Sequence, residues 1–204
     1  EPLKGTPADV SHGDVDAFAP LPGSIEAFNE GFRAGGRQAY TEYRGAPETR
    51  REVAASLSAF TGTPVSADTG LILTPGTQGA LFLAVGSAVV PGDKMAIVEP
   101  DYFANRKLAQ FFGCEIVPIP MEYETYTEKA GIDLDRLEKA FQDGVKLFLF
   151  SNPNNPVGAV YSEEEIRDIA FLTQKYHRTV IVDELYSRQI FDHRPYTHLC
   201  AQRN

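Results

Sequence analysis

Apolar residues follow two rhythms along this chain. Five short runs, Leu71–Thr74, Met95–Glu99, Glu115–Ile119, Leu147–Ser151 and Val180–Asp183, are of strand length and rich in apolar and β-branched residues. Near-continuous runs of this kind predict strands buried on both faces. Between them lie helix-length amphipathic stretches: Pro47–Phe60, Gln78–Val90, Phe103–Phe112, Asp133–Phe141 and Ser162–Lys175. Pro47 suits a first helical position, where a missing N–H costs nothing. Pro91-Gly92 and Gly113 mark stops, and Ser162 with Glu165 three residues on reads as a capping box. Alternation of the two rhythms predicts an α/β fold, a mainly parallel sheet flanked by helices.

The first 36 residues break this pattern. Asp9–Pro22 is rich in Asp, Gly and Pro and reads as an extended arm, followed by a helix over Ser24–Ala34. The expected organisation is therefore an N-terminal arm and helix over 1–36, and one large domain over 37–204.

Composition narrows the function classes. Hydrophobic residues make up 43% and charged residues 23%, ordinary values for a chain with a buried core. A net charge of −9 and scattered basic residues offer no broad surface for nucleic acid or anionic membrane. Two cysteines, Cys114 and Cys200, form neither a disulfide framework nor a metal-ligand spacing, so no metal is expected. No apolar run is long enough for a transmembrane helix, and no targeting signal is evident, so a cytoplasmic location is the default expectation.

Candidate chemistry gathers just after the predicted strands. In Thr74-Pro75-Gly76-Thr77-Gln78 a strand gives way to a small-residue turn and a helix. That junction aims unpaired N–H groups and the positive helix end at one point, a ready anion site. It lacks the Gly-Lys-Ser/Thr of a Walker motif, and alone it is equally a cap. Ser151-Asn152-Pro153-Asn154-Asn155-Pro156 follows another strand. Its doubled Asn-Pro restricts the backbone and presents Asn155, whose amide suits a phenolate or carbonyl oxygen. In Val180–Tyr186 a buried strand runs into Asp183, whose carboxylate needs a cation or a full set of donors. A protonated pyridine nitrogen is one such cation; a helix to cap or an arginine would serve equally. Tyr186 is three residues on, within reach of the same ligand. Tyr102 follows a further strand and is placed to stack on a planar ligand. All these groups would project to the carboxyl rim of one sheet, where ligands bind in open parallel sheets.

In that order and spacing, from about Val10 to the end, the sequence resembles the class I/II aminotransferases, fold-type-I pyridoxal-phosphate enzymes related to aspartate aminotransferase. Leu147–Gly158 followed by Val180–Tyr186 carries the resemblance most specifically. It implies pyridoxal 5′-phosphate as cofactor, with Gly76, Thr77 and Gln78 around the phosphate and Tyr102 stacked on the pyridine. It assigns Asn155 and Tyr186 to the phenolic oxygen, and Asp183 to the ring nitrogen, which it keeps protonated so that the ring acts as an electron sink. Tyr40, in a Tyr-x4-Gly pattern ending at Gly45, resembles the tyrosine that reaches the phosphate of a neighbouring subunit, which implies a homodimer with shared active sites. Gly13 resembles the arm segment that passes the substrate carboxylate. The implied reaction moves an amino group between an amino acid and a 2-oxo acid, with Asp183 and Tyr186 as catalytic groups.

The family's Schiff-base lysine is expected beyond Asn204, and Lys4, Lys94, Lys107, Lys129, Lys139, Lys146 and Lys175 lie in none of the right contexts. The large domain is thus expected to be incomplete at its C-terminus, a piece of a protein about twice this length. The same half would serve a lyase, a decarboxylase or a cyclising enzyme on this scaffold. A catalytically dead homologue that binds a partner is a rival of another class. An unrelated α/β phosphate-binding protein is a third, and it would leave Asp183 and Asn155 apart from the Gly76 turn.

Overall fold

A computed structural model describes residues 18–35, 40–122 and 131–202. The chain divides into two units, Glu1–Thr41 and Glu42–Asn204. In the first, helix α1 (Ser24–Ala34) presents Ile25, Phe28 and Phe32 on its surface, all of them exposed.

The second unit is built on a five-stranded sheet. Its strands are β1 (Lys94–Glu99), β2 (Glu115–Glu122), β3 (Gly131–Ile132), β4 (Leu147–Ser151) and β5 (Thr179–Asp183), in the order β3-β2-β1-β4-β5. The four long strands are parallel, and only the short β3 runs antiparallel, pairing Met121 with Ile132. Helices α2 (Pro47–Thr61), α3 (Gly76–Ala88), α4 (Phe103–Phe111), α5 (Leu134–Gln142) and α6 (Glu163–Lys175) complete the unit.

The near-continuous apolar strands are explained by burial on both faces. Met95, Ile97, Leu147 and Leu149 pack with Leu81 and Val85 of α3 and Ala109 of α4. The alternate residues Ala96, Val98, Phe148 and Phe150 pack with Leu137 and Phe141 of α5 and Ile166 and Ile169 of α6. Each such large side chain contributes about 1.5–3 kcal/mol by leaving water. The Phe148 and Phe150 rings stack at 4.9 Å.

Helix ends follow local chemistry. Ser162 and Glu165 form the expected capping box, each side chain accepting from the other residue's backbone N–H. Asp133 caps α5 by accepting from the Arg136 N–H at 2.8 Å. Gly62 ends α2 with a left-handed φ of 70°.

Two expectations are corrected. Leu71–Thr74 is not a strand, despite its apolar run. A strand needs a ladder partner, and among the described residues the one backbone bond from this segment to a distant part of the chain runs from the Leu73 N–H to the Arg44 carbonyl at 3.0 Å. Helix α3 also begins at Gly76 rather than Gln78, because Pro75, with no N–H to lose, occupies the cap position directly before it. Among the described residues, no helix is long and apolar enough to cross a membrane.

Candidate active site

The sheet's order places its topological switch at β1, which has β2 on one side and β4 on the other. The crevice at the carboxyl ends of such strands is the usual ligand site. Here it opens into a cavity of about 330 Å³. Four segments form its walls: Pro75–Gln78 at the start of α3, Tyr102 after β1, Ser151 and Asn155 at the end of β4, and Asp183, Leu185 and Tyr186 after β5. The candidates Gly76, Thr77, Gln78, Tyr102, Asn155, Asp183 and Tyr186 therefore meet around one cavity. A phosphate-binding protein in which Asp183 and Asn155 stood apart from the Gly76 turn does not match this arrangement.

Each wall has a different character. Gly76 adopts φ +71°, a left-handed conformation that L side chains avoid, and nothing lies within 4 Å of where its Cβ would stand. The Gly76 N–H turns back to the Thr74 carbonyl at 2.8 Å. No side chain caps α3, so the N–H groups of its first turn after Gly76 and the positive end of a 13-residue helix are open to an anion. The side chains of Thr77, Gln78, Asn155 and Tyr186 make no hydrogen bond to another described residue, which leaves their polar ends to a ligand.

Asp183 supplies the negative wall. It is 9% exposed, and its Oδ1 accepts from the Leu185 N–H at 3.1 Å. Among the described residues it has neither an arginine nor a lysine within ion-pair distance, and it caps no helix. Burial pushes its carboxyl above the usual carboxylate range, and the Leu185 N–H opposes that shift only in part. A buried carboxylate in this state favours a cationic ligand group.

Tyr40 belongs to the N-terminal unit, where its side chain is fully exposed. Gly13 falls outside the described residues.

Sequence reasoning overlooked the groups behind the rim. Asp101 accepts four hydrogen bonds, including two from Ser151. Ser151 itself lines the cavity. Glu184, next to Asp183, pairs with Nδ1 of the buried His198 at 2.8 Å. The available signal was position, since Asp101, Ser151 and Glu184 each end a strand or directly follow its exit.

Comparison with known proteins bears on this site. The model of the family "aminotransferase class I and II" matches residues 10–202. A solved aspartate aminotransferase from Rhodobacter sphaeroides is 57% identical and superposes with a TM-score of 0.93, over 98% of this chain and 52% of that one. A probable aspartate aminotransferase of Methanocaldococcus jannaschii is 29% identical over 162 residues, which are 79% of this chain and 42% of that protein. Cystalysin of Treponema denticola, whose structure contains a pyridoxal 5′-phosphate cofactor, shares the fold at a TM-score of 0.77 and 24% identity, over 89% of this chain and 45% of its own. The chain thus spans about half the length of these relatives. With a family match over nearly its whole length, the chain belongs to the class I and II aminotransferases.

Proposed function

We propose that this chain is the cofactor-binding part of a pyridoxal-phosphate-dependent aminotransferase that moves an amino group between an amino acid and a 2-oxo acid. The observation that carries this reading is the unpaired buried Asp183 facing the uncapped start of α3 across one cavity. Few ligands need a carboxylate partner at one end and an anion cradle at the other. Pyridoxal 5′-phosphate, with a basic ring nitrogen and a phosphate, is one of them.

The residues present fit that group. The Thr77 and Gln78 N–H groups and the Thr77 hydroxyl would hold the phosphate. Tyr102 would stack on the ring, and the Asn155 amide and Tyr186 hydroxyl would donate to the phenolic oxygen. Asp183 would keep a proton on the ring nitrogen, a role for which its burial suits it. The cofactor, when bound, supplies an electron sink for the pair left at the amino acid's α-carbon. Asn155 and Tyr186 would orient the ring, and the start of α3 would hold the phosphate.

The 57% identity to an aspartate aminotransferase favours aspartate as the amino donor. The full exposure of Tyr40 supports a role across a homodimer interface, where it would reach the phosphate of a second copy's site.

The test uses the full-length protein. Purified with pyridoxal phosphate, it should carry a visible absorbance band and transfer ¹⁵N from labelled aspartate to a 2-oxo acid. Pyridoxal phosphate binding without any amino transfer would redirect the reading to a lyase or a dead homologue. Absence of binding would remove it.

A further inference from the structure

Asp101 lies two residues past β1 and precedes Tyr102, and its carboxylate joins two wall segments of the cavity, the one at Tyr102 and the one at the end of β4. Oδ1 accepts from the Tyr102 N–H at 2.6 Å, from the Ser151 hydroxyl at 2.7 Å and from the Asn105 side-chain amide at 3.2 Å. Oδ2 accepts from the Ser151 N–H at 2.9 Å. The Ser151 Oγ in turn accepts from the Asn155 N–H at 3.1 Å. Since that oxygen accepts from Asn155, its own hydrogen is directed to Asp101. The result is a continuous chain from Asn155 through Ser151 to Asp101 and on to Tyr102.

This chain crosses the sheet where the sheet itself lets go. The β1–β4 ladder pairs Met95, Ala96 and Ile97 with Leu147, Phe148 and Leu149 and goes no further. Beyond it, no ladder bond sets the gap between the end of β1, which leads to Tyr102, and the end of β4, which leads to Asn155. Asp101 closes that gap, beside one further bond from the Asn154 side-chain amide to the Pro100 carbonyl at 3.1 Å. All four of its partners are donors, a pattern that suits an ionised carboxylate, which only accepts. Burial pushes its carboxyl above the usual carboxylate range, and the donors from Ser151, Tyr102 and Asn105 oppose that shift only in part.

We propose that Asp101 is the positioning residue of this site, a staple across the β1–β4 crevice that fixes the Tyr102 ring relative to the Asn155 amide. The ligand gripped between them is the one proposed above, so the inference rests on that reading for the ligand's identity and on the hydrogen bonds alone for the staple. Substituting asparagine replaces one acceptor oxygen with an amide NH2, which donates and cannot accept from Ser151. Substituting Ser151 by alanine severs the branch to Asn155 and leaves the Tyr102 branch intact.

The experiment titrates pyridoxal phosphate into the full-length apoprotein as wild type, Asp101→Asn, Ser151→Ala and the double variant. Affinity and the position of the visible band are read together, with inorganic phosphate as a control ligand that needs only the Gly76–Gln78 turn. Asp101→Asn should weaken pyridoxal phosphate about tenfold or more, the scale of a lost charge-assisted hydrogen bond, and shift the band. It should leave phosphate affinity unchanged. The double variant should lose less than the two singles together, because both cut one chain. A wild-type affinity and band in Asp101→Asn overturns the proposal, and so does an equal loss for both ligands, the mark of a general structural defect. Should Asp101→Asn not fold, Ser151→Ala decides by the same readings. If the wild type binds no pyridoxal phosphate, the functional reading fails separately. Amide hydrogen exchange in the apoprotein then decides the staple: faster exchange at Tyr102 and Asn155 in Asp101→Asn supports it, and unchanged exchange refutes it.

Discussion

Ser151 and Asp183 are register partners, the last pair in the ladder between β4 and β5. Partners in a parallel pair project from the same face of the sheet. The residues two positions earlier, Leu149 and Ile181, belong to the packing against α3 and α4, so Ser151 and Asp183 face the same side, toward the start of α3. One ladder step past the apolar core, the side chains become a hydroxyl and a carboxylate. The sheet thus sets both groups at one level without help from a loop. The Asn152 N–H extends the alignment by donating to the Asp183 carbonyl at 2.9 Å.

Asp183→Asn tests the carboxylate's role. An amide oxygen can still accept from the Leu185 N–H, so the turn should survive. The charge that would hold a proton on the ring nitrogen is lost. Turnover of the full-length enzyme should fall on the order of 10²-fold or more, the scale seen when other charge-stabilising partners are removed. Steady-state kcat beside a thermal melting curve separates this from unfolding. Turnover near the wild-type value would exclude Asp183 as the ring's partner.

The same substitution should act oppositely on stability. Burial holds the folded Asp183 carboxyl above its unfolded value. A group shifted in that direction contributes stability that is fully present below the unfolded value and is lost as pH rises through the folded one. Once pH exceeds that raised range, the wild-type apoprotein carries a buried charge that the asparagine variant lacks. Above that range Asp183→Asn should unfold at a higher denaturant concentration than wild type, and the gap should close as pH falls through it. Glu184, Tyr186 and Tyr196 stand nearby and are common to both proteins. A gap that stays constant with pH would show that Asp183's ionisation is not its source.

Much of this was legible in sequence because it rests on local rules. Four of the five strands and the capping box at Ser162 follow from apolar runs and a spacing of three. Position at strand ends gathered Tyr102, Asn155, Asp183 and Tyr186, while Ser151 was passed over and the Gly76–Gln78 turn follows a segment that is no strand. Leu71–Thr74 misled because strand propensity describes a residue's fitness for a sheet and carries no information about a neighbour to pair with. Asp101 was passed over for a related reason. Its importance lies in donors 50 residues away on β4, a relation created by the sheet and absent from any local pattern.

Gly76 offers a test of the anion wall. Its φ of +71° is in the left-handed region, where a side chain costs about 1–2 kcal/mol. A Cβ there meets no atom within 4 Å, so strain rather than collision sets the penalty of Gly76→Ala. The variant should lose about 1 kcal/mol of stability and bind inorganic phosphate more weakly, since relief of the strain rotates the first turn of α3. Calorimetric titration with phosphate reads the second effect. Unaltered phosphate affinity would mean that the turn is not the cradle.

The last prediction concerns the support beneath Asp183. Its neighbour Glu184 places Oε2 2.8 Å from Nδ1 of His198, with the two side chains 25% and 8% exposed. The imidazole lies edge-on to Phe60 and to Tyr196, each at 4.7 Å between ring centres. Tyr196 then donates its hydroxyl to the Asn152 carbonyl at 2.7 Å, which ties the same cluster to the exit of β4. Removing either member of the pair leaves the other largely buried without a partner, which costs about 1–3 kcal/mol. Glu184→Ala and His198→Ala should each lose stability on that scale. The double variant should lose less than their sum, by a coupling of about 0.5–3 kcal/mol, because the second removal no longer strands a polar group. Urea denaturation of the four proteins gives the cycle directly. Strict additivity would reduce the pair to two independent packing contributions.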